Sequence, residues 1–343
     1  MSQNEVTEAL PVLDSGGKPQ NPGWARGPVF SYDPALLWVP RRRISESDRY
    51  ILHSPTHMVV LEVRDDGWLG LIGVSVVSLR DKNRSTHVKK SIFPLGSFGM
   101  PAASGSGSVR QKRKDASLDF IAMDGGVKII KTEMLNFGRG RSLRGQVVLS
   151  EPEGGAQSLA CNQMWRGDKS AFRYSRYSPW YFVEGVIQIG SHEIFFTRGN
   201  GWGIFEWHRG ARPGKDIRVW AAACGLSGGR LLGFCTGYSF ADPSFGTENA
   251  FFVDGKLHKL DKVTFHIPPA DWLAPWRFTS NDNSLEMTFH PHQERSERNR
   301  IFFQNFARRQ VFGYFSGKVV LEDGQEIRFV NLTGFAERSK TRF

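Results

Sequence analysis

Apolar and aromatic residues recur along the chain in short runs that turn-forming residues separate. The run at 250–253 is typical, with two aromatics in four apolar residues and Asp254-Gly255 directly behind it. Asp-Gly tolerates the positive φ angles of a tight hairpin turn, and Leu257 and Leu260 resume the apolar pattern. This stretch therefore predicts a β-hairpin that is entered through the polar residues 247–249.

Similar apolar runs predict strands over most of the remaining chain. They lie at residues 50–52, 58–63, 68–79, 117–120, 127–132, 142–149, 181–189, 191–196, 204–207, 218–223, 230–238, 262–267, 276–279, 284–289, 310–321 and 326–335. Helical periodicity is scarce, and residues 295–309 are the segment where one short helix is expected. The pattern predicts an all-β protein with few short helices.

Two polar segments interrupt this pattern. Residues 1–22 contain Gly16-Gly17 and little apolar periodicity, which predicts a flexible N-terminal arm. Residues 101–117 combine Ala, Ser and Gly with the basic run 110–114, which predicts a flexible, basic surface loop.

A weak internal echo suggests a duplicated architecture. Residues 145–149 (GQVVL) resemble residues 317–321 (GKVVL), and residues 117–120 (SLDF) resemble residues 284–287 (SLEM). The two offsets are similar and each is about half the chain, as a duplicated β domain would leave. We therefore expect two tandem antiparallel β-barrels or barrel-like sandwiches, at residues 23–185 and 186–343.

Composition agrees with a β-rich core and narrows the partners. Aromatic residues make up 13% of the chain, there are 37 glycines, and the formal net charge is +11. No nucleic-acid-binding signature accompanies the charge, so we expect a solvated basic surface with at most weak contact to anionic membranes through residues 110–114. Three distantly spaced cysteines predict neither disulfides nor a zinc site. Without a signal peptide or an 18-residue apolar run, a cytoplasmic location is expected.

A succession of motifs gives the chain a family resemblance. The motifs are residues 23–28 (GWARGP), 247–250 (TENA), 254–260 (DGKLHKL), 275–276 (PW), 285–291 (LEMTFHP), 310–313 (QVFG), Gly317 and 334–337 (GFAE). In this order they resemble the uncharacterised family called DUF2804, over roughly residues 23–340. One element departs from the family pattern: residues 197–201 (TRGNG) lack the acid and the central Arg of an Asp-x-Gly-Arg-Gly-like element, so we do not expect a role that depends on those groups.

The resemblance implies a fold more firmly than an activity. Distant relatives of the family are tandem lipocalin-like proteins, which include carotenoid hydratases and fungal cyclases that act on apolar substrates in a barrel pocket. The expected fold is therefore a pair of lipocalin-like barrels.

Sequence motifs for cofactors and metals are weak. Residues 199–203 are glycine-rich, but they lack the Lys-Ser/Thr of a phosphate loop and strand-like residues follow them. His290 and His292 would share one face of a strand, but no third ligand is evident nearby. We expect no metal and no cofactor.

A barrel pocket needs aromatic walls and a few polar groups that orient or protonate the ligand. The candidate catalytic residues are Glu184, Glu206 and His208, and Glu337 is a further polar candidate. Glu184 interrupts an apolar strand, so burial would make it a general acid, although an ion pair with Arg173 or Arg176 is an alternative. The candidate ligand-binding residues, whose aromatic members are alternatively plain core, are Trp180, Trp202, Trp207, Tyr238, Glu248, Asn249, His258 and Trp276.

Three functions are compatible with these features. The first is binding of a large apolar ligand, such as a lipid or isoprenoid, in a barrel pocket. The second is a cofactor-independent hydratase, isomerase or cyclase that uses carboxylate acid–base chemistry on an apolar substrate. The third is a basic surface that binds anionic membranes. The sequence specifies neither the ligand nor the oligomeric state.

Overall fold

A computed structural model describes residues 3–138, 140–152, 154–301 and 304–342. These residues form strands and turns, and their helical segments are three-residue 3-10 turns at Pro34–Leu36, Arg41–Arg43 and Asp124–Gly126. Within the same ranges no helix is both long and apolar enough to cross a membrane. The expected all-β class is confirmed: the strands build two strongly curled antiparallel half-barrels.

The first fifteen strands are β1 (Leu10–Pro11), β2 (Gly23–Ala25), β3 (Phe30–Ser31), β4 (Ile44–His53), β5 (His57–Asp65), β6 (Leu69–Ser78), β7 (Arg84–Ile92), β8 (Val109–Arg113), β9 (Ala116–Ala122), β10 (Lys128–Met134), β11 (Leu143–Ser150), β12 (Leu159–Trp165), β13 (Asp168–Ile189), β14 (His192–Phe196) and β15 (Trp202–Ala211). The remaining nine are β16 (Lys215–Ser227), β17 (Arg230–Tyr238), β18 (Ala250–Val253), β19 (Lys256–Lys259), β20 (Val263–His266), β21 (Trp276–Ser280), β22 (Leu285–Ile301), β23 (Gln304–Val320) and β24 (Glu326–Arg342).

The two large sheets repeat one strand order. The first runs β7-β6-β5-β4-β15-β13-β11-β10-β9-β8, and the second runs β19-β18-β17-β16-β24-β23-β22-β21-β20. Each sheet contains a four-strand meander, and the first strand of that meander, β4 or β16, pairs with the last long strand of its half, β15 or β24. This shared topology supports the tandem arrangement.

The short sequence echo is not the trace of this repeat. By sheet order β11 corresponds to β22 and β9 to β20. The echo instead matches β11 with β23 and β9 with β22, so it aligns strands that occupy different places. The duplication is visible in the topology, and the echo motifs do not mark it.

Both faces of the central strands are buried, and they face different environments. In β4, Tyr50 and Leu52 point into the first half-barrel, whereas Ile51 joins an apolar cluster between the two sheets with Trp180 and Trp220. Because neighbouring residues of a strand point to opposite faces, one strand lines a barrel interior and the inter-sheet contact at once.

The β-hairpin that was predicted around Asp254-Gly255 is confirmed. β18 pairs with β19 in register from Ala250↔Lys259 to Val253↔Lys256. The turn residues Asp254 and Gly255 have φ angles of 47° and 87°, the left-handed values that a tight hairpin turn requires.

The segment 295–309 is not helical, so that expectation is wrong. Its described residues form the ends of β22 and β23, which pair as a long hairpin, and residues 302–303 lie outside the described ranges. Glu297 lies opposite Arg308, and Glu294 accepts a hydrogen bond from Arg309, so charged residues of this segment pair across two strands.

The structure gives defined positions to three segments of the expected domain division: the N-terminal segment, the boundary near residue 185 and the basic segment. Val12 is fully buried and Gln3 accepts a hydrogen bond from the Thr247 amide at 2.7 Å, so residues 3–22 pack on the folded body rather than form a free arm. Strand β13 runs through position 185 and stays in the first sheet, and the second sheet begins with β16. Residues 109–113 of the basic segment form β8. The domain limits themselves remain a prediction.

Candidate functional site

Charged side chains occupy the inter-sheet face of strands β5, β4 and β15 and of their neighbour β13. Arg49 lies in register with Glu62 on one side and Glu206 on the other, and Glu206 lies in register with Tyr177. Paired residues of an antiparallel sheet point to the same face, so these side chains form one polar row that meets the second sheet.

Arg49 and Arg218 connect this row to the second half-barrel. Arg49 donates to Glu206 Oε2 from Nε at 2.5 Å and to both oxygens of Glu337, at 2.8 and 3.0 Å. Arg218 donates to Glu206 Oε1 at 2.8 Å and to Glu248 Oε2 at 3.1 Å. Each half therefore supplies one arginine on its first meander strand and one glutamate on its last long strand.

Glu248 and Glu337 of this network stay ionised. Burial alone would raise the pKa of Glu248, but Arg218 and then Arg173 hold it below its usual value. Burial opposes ionisation of Glu337 as well, and Arg49 lowers its pKa in the same way. Buried carboxylates with bidentate and multiple arginine partners satisfy the demand of buried charges for hydrogen bonds.

Tyr177 completes the network as a neutral phenol. Its hydroxyl donates to Glu248 Oε1 and accepts from Arg218 Nη2 at 2.8 Å. Burial raises the pKa of Tyr177 well above its usual value, so the proton stays on the phenol oxygen.

A second ion cluster adjoins the first. Arg308 donates to both oxygens of Glu62, at 2.5 and 3.2 Å, and to Glu297 at 2.8 Å. Arg64 lies 3.2 Å from Asp66 and 3.5 Å from Glu297. The polar contact between the sheets is thus an extended chain of alternating charges.

A cavity of about 100 Å³, here called the central cavity, lies between the sheets beside these ion pairs. Its lining residues are Ser45, Ser47, Arg49, Glu62, Arg64, Asp66, Trp165, Phe172, Arg173, Glu206, His208, Gly210, Ala211, Arg212, Pro213, Asp216, Arg218, Phe306, Arg308, Glu337, Ser339 and Thr341. Six arginines and five acidic side chains are among them, so opposite charges nearly balance. Since one enclosed water needs roughly 10–15 Å³, the space suits a few waters or the polar end of a small molecule.

His208 brings a neutral base to the central cavity. Its Nε2 lies 3.2 Å from Ser45 Oγ, which donates its own hydrogen to Asp66 Oδ1 at 2.7 Å. A serine hydroxyl carries one hydrogen, so Oγ accepts from Nε2–H and the ring lone pair is on Nδ1. Burial, followed by the charges of Arg173 and Arg218, lowers the pKa of His208 well below its usual value.

Arg173 brings a hydrogen-bond donor to the same cavity. It lies on β13 one diagonal step from His208, because Ser175 is the register partner of His208. Its Nη2 donates to Asp216 at 2.9 Å, whereas its Nη1 is buried and has no hydrogen-bond partner among the described residues. An unpaired guanidinium nitrogen at a cavity is a place for an oxygen atom of a bound molecule.

A second and larger cavity of about 370 Å³ lies at the open seam of the second half-barrel, and we call it the seam cavity. Its lining residues are Gln163, Gly237, Tyr238, Ser239, Ala241, Pro243, Thr247, Asn249, Lys262, Val263, Thr264 and Phe265. The seam separates the end of β17 from the edge strand β20, and the rings of Tyr238 and Phe265 meet across it with centroids 5.5 Å apart.

The structure divides the predicted polar site residues among different places. Glu206 and His208 line the central cavity, and Glu248 lies in the ion network beside it. Asn249 and Tyr238 line the seam cavity. These five residues were proposed for one pocket, and strand alternation assigns them to two.

Glu184 lies away from both cavities. The alternation that grouped it with Phe182 and Val186 holds, but that face of β13 is the outer one, and Glu184 is exposed. Val183 and Ile187 point inward instead. The burial on which a role as general acid depended is absent.

The predicted aromatic walls are packed into cores. Trp180 and Trp202 lie in the inter-sheet cluster, Trp207 in the first interior and Trp276 in the second. His258 is half-buried on β19, and it lines neither the central cavity nor the seam cavity.

Sequence reasoning missed Arg49, Arg218 and Ser45. One signal was available: the polar residues 45–49 directly precede the apolar run 50–52 in the same strand, β4. Such a polar row within a fully buried strand indicates an internal polar contact rather than a solvent face.

Within the described ranges, no group of three or more His, Cys, Asp or Glu side chains is placed to hold a metal ion. The acidic side chains of the central cavity are instead paired with arginines.

The chain was compared with protein families, curated proteins and solved structures. The family model described as "Domain of unknown function (DUF2804)" matches residues 3–343. A putative AttH from Nitrosomonas europaea aligns with 11% identity and a TM-score of 0.49, covering 87% of this chain and 92% of that chain. Kievitone hydratase from Nectria haematococca aligns with 9% identity and a TM-score of 0.45, covering 87% and 88%. A search of curated proteins found no match.

Proposed function

The chain belongs to the DUF2804 family, and from the geometry of its site we propose that it is an acid–base enzyme that moves a proton to or from carbon in a small organic substrate. The observation that carries this proposal is His208, a neutral imidazole of defined tautomer at the central cavity. Two motifs of the family resemblance, 247–250 and 334–337, supply Glu248 and Glu337 to the adjoining ion network.

In the proposed reaction His208 Nδ1 accepts a proton from the carbon next to a substrate carbonyl. Arg173 Nη1 donates a hydrogen bond to the carbonyl oxygen as negative charge develops there. Return of the proton to a different carbon isomerises the substrate. In dehydration the C–O bond to a β-hydroxyl group breaks, and this group takes the proton from His208 Nδ1 and leaves as water, so that His208 is neutral again; the reverse reaction is hydration. Neither outcome needs an oxidant or a reductant.

The ion network has a supporting role in this scheme. Arg49 and Arg218 are fixed by carboxylates on both sheets, so their charges need no reorganisation when charge develops in the cavity. Ser45 and Asp66 hold the imidazole in the tautomer that leaves Nδ1 free.

The other two functions expected from the sequence gain less support. Rings pack within both interiors, with Tyr50 stacked on Phe205 at 4.7 Å and Phe289 on Phe315 at 4.2 Å, so room for an apolar molecule lies at the seam cavity instead. Membrane contact through residues 110–114 and a cytoplasmic location remain predictions.

The proposed function is tested by isotope exchange. The protein is incubated in D₂O with a small-molecule extract of cells, and mass spectrometry records metabolites that gain deuterium or water. His208→Gln should slow the incorporation of deuterium at least ~100-fold, since a positioned general base contributes about that much to the rate. His290→Gln, at an exposed histidine of β22, is the matched control and should behave as wild type.

Two results would contradict the proposal. One is labelling by His208→Gln at the wild-type rate, and the other is the absence of any labelled metabolite with the wild-type protein. ¹⁵N NMR of the imidazole provides a substrate-free check, because it should show the proton on Nε2 and a pKa below the usual value.

A further inference from the structure

The seam cavity has the properties of a second binding site. Its volume of about 370 Å³ is within the roughly 300–1,000 Å³ typical of small-molecule pockets. Tyr238, Val263 and Phe265 give it an apolar wall, while Gln163, Thr247 and Asn249 give it buried polar groups. The arrangement of apolar walls with a few fixed polar groups is usual in ligand pockets.

The buried polar groups differ in what they leave available. Asn249 Oδ1 accepts from Thr236 Oγ1 and from the Gly237 amide, both at 2.8 Å, and its Nδ2 donates to the Asp261 carbonyl at 2.6 Å. Thr247 Oγ1 accepts from Lys259 Nζ at 2.8 Å. These side chains are committed to the protein.

Gln163 is the exception. It is 6% exposed, and its Nε2 donates to the Gly246 carbonyl at 3.4 Å, which orients the amide. Its Oε1 is buried and has no hydrogen-bond partner among the described residues. Leaving a buried acceptor without a donor is unfavourable, so a bound molecule that supplies an O–H or N–H recovers the lost hydrogen-bond energy.

The entrance of the seam cavity is aromatic and accessible. Tyr238 is 48% exposed, and the loop that supplies Ala241 and Pro243 also displays Phe240 and Phe245, which are 53% and 42% exposed. Exposed rings clustered at a concave opening are typical of ligand sites.

We propose that the seam cavity binds a neutral, mainly apolar molecule that carries one hydroxyl or amide N–H donor. The donor group bonds to Gln163 Oε1, and the apolar body lies against Tyr238 and Phe265. This site does not depend on the proton-transfer function of the central cavity.

A matched pair of probes tests the proposal. 2-Naphthol has the donor, and 2-methoxynaphthalene has the same rings without it. Isothermal titration calorimetry should give about tenfold tighter binding of 2-naphthol to the wild-type protein, the ratio that about 1.4 kcal/mol represents. Gln163→Leu should bring this ratio of affinities close to one. Phe265→Ala should weaken the binding of both probes about tenfold.

Gln293→Leu is the matched control, because Gln293 is also 6% exposed with an unpartnered Oε1 but lies outside the seam cavity. It should retain the wild-type ratio, and so should His208→Gln. The proposal is overturned if 2-naphthol does not bind at 1 mM, or if Gln163→Leu leaves the ratio unchanged. If circular dichroism shows that Gln163→Leu does not fold, Tyr238→Ala at the exposed rim is tested in its place. An unchanged affinity of Tyr238→Ala for 2-naphthol also overturns the proposal.

Discussion

The central cavity and the seam cavity lie on opposite faces of the strand entrance at residues 247–249, and they are built differently. Glu248 points into the charged contact between the sheets, whereas Thr247 and Asn249 point into the seam. The central cavity has about 100 Å³ and walls of mutually paired charges, and the seam cavity has about 370 Å³ with mainly neutral buried walls.

This difference indicates which kind of function each cavity can have. Buried charges need partners, so the charged centre uses most of its hydrogen-bonding capacity on itself. Arg173 Nη1 is one buried donor without a partner among the described residues, and it is therefore available to a ligand. The seam needs no such compensation, because apolar walls tolerate empty or loosely filled space. The centre therefore suits a chemical step, and the seam suits binding of a larger apolar body.

The largest effect is expected from Arg49→Met. This change leaves Glu206 and Glu337 buried without one of their partners, which should lower the free energy of unfolding by about 3–5 kcal/mol. Urea unfolding at pH 7 measures it. Arg277→Met, which removes an exposed pair with Glu286, is the control and should change little. A loss below about 1 kcal/mol for Arg49→Met would show that the charged centre is not a structural unit.

A smaller effect on the free energy of unfolding is expected when the pH is lowered. It should arise at His208 in the central cavity and leave the seam cavity unaffected. Burial lowers the folded-state pKa of His208 well below 6.5, so below pH 6.5 the unfolded chain binds a proton that the folded chain does not. Stability present above pH 6.5 is therefore lost as the pH falls. The loss from this group should be about 2 kcal/mol between pH 7 and pH 5.

Urea unfolding across this pH range, compared with His208→Gln, isolates that contribution. Burial also lowers the pKa of His53 to about 4, so a residual slope of the same sign should persist in the variant. An unchanged slope in His208→Gln would mean that folding does not lower the pKa of His208. Affinity of 2-naphthol for the seam should stay constant over the same range.

The smallest effect on stability is expected from Tyr238→Ala at the seam. The ring is 48% exposed and contacts Phe265 edge-on, so thermal unfolding should show a loss of about 1 kcal/mol or less. Phe195→Ala, at a ring that is 60% exposed on β14, should have a similarly small effect. Only the Tyr238 variant should weaken binding of 2-naphthol, and equal weakening by both would argue against a specific seam site.

Local features of the fold could be predicted from the sequence, because their causes are local. The turn at Asp254-Gly255 and the strand at 250–253 depend on φ preferences and alternation within a few residues. The helix expected at 295–309 was wrong, because the segment is stabilised by contacts across a strand pair, such as Glu297 with Arg308, that a local pattern does not show.

The site was less predictable, because its contacts join distant parts of the chain. Arg49 and Glu337 are 288 positions apart, and no short motif reports their pairing. For Glu184, alternation identified its companions on the strand but not which face meets solvent, a property that only the curl of the sheet determines. Glu206 and His208 were candidates from the sequence, and both line the central cavity, while their roles remain a prediction.

The two-residue alternation at 247–249 also limits how the family can change over evolution. Substitutions at Glu248 alter the charged contact, and substitutions at Thr247 or Asn249 alter the seam, so selection can tune each cavity independently. Insertion or deletion of a single residue there would exchange the two faces, turning a carboxylate toward the apolar seam and an amide toward the arginines. Members of the family should therefore keep the length of this tripeptide.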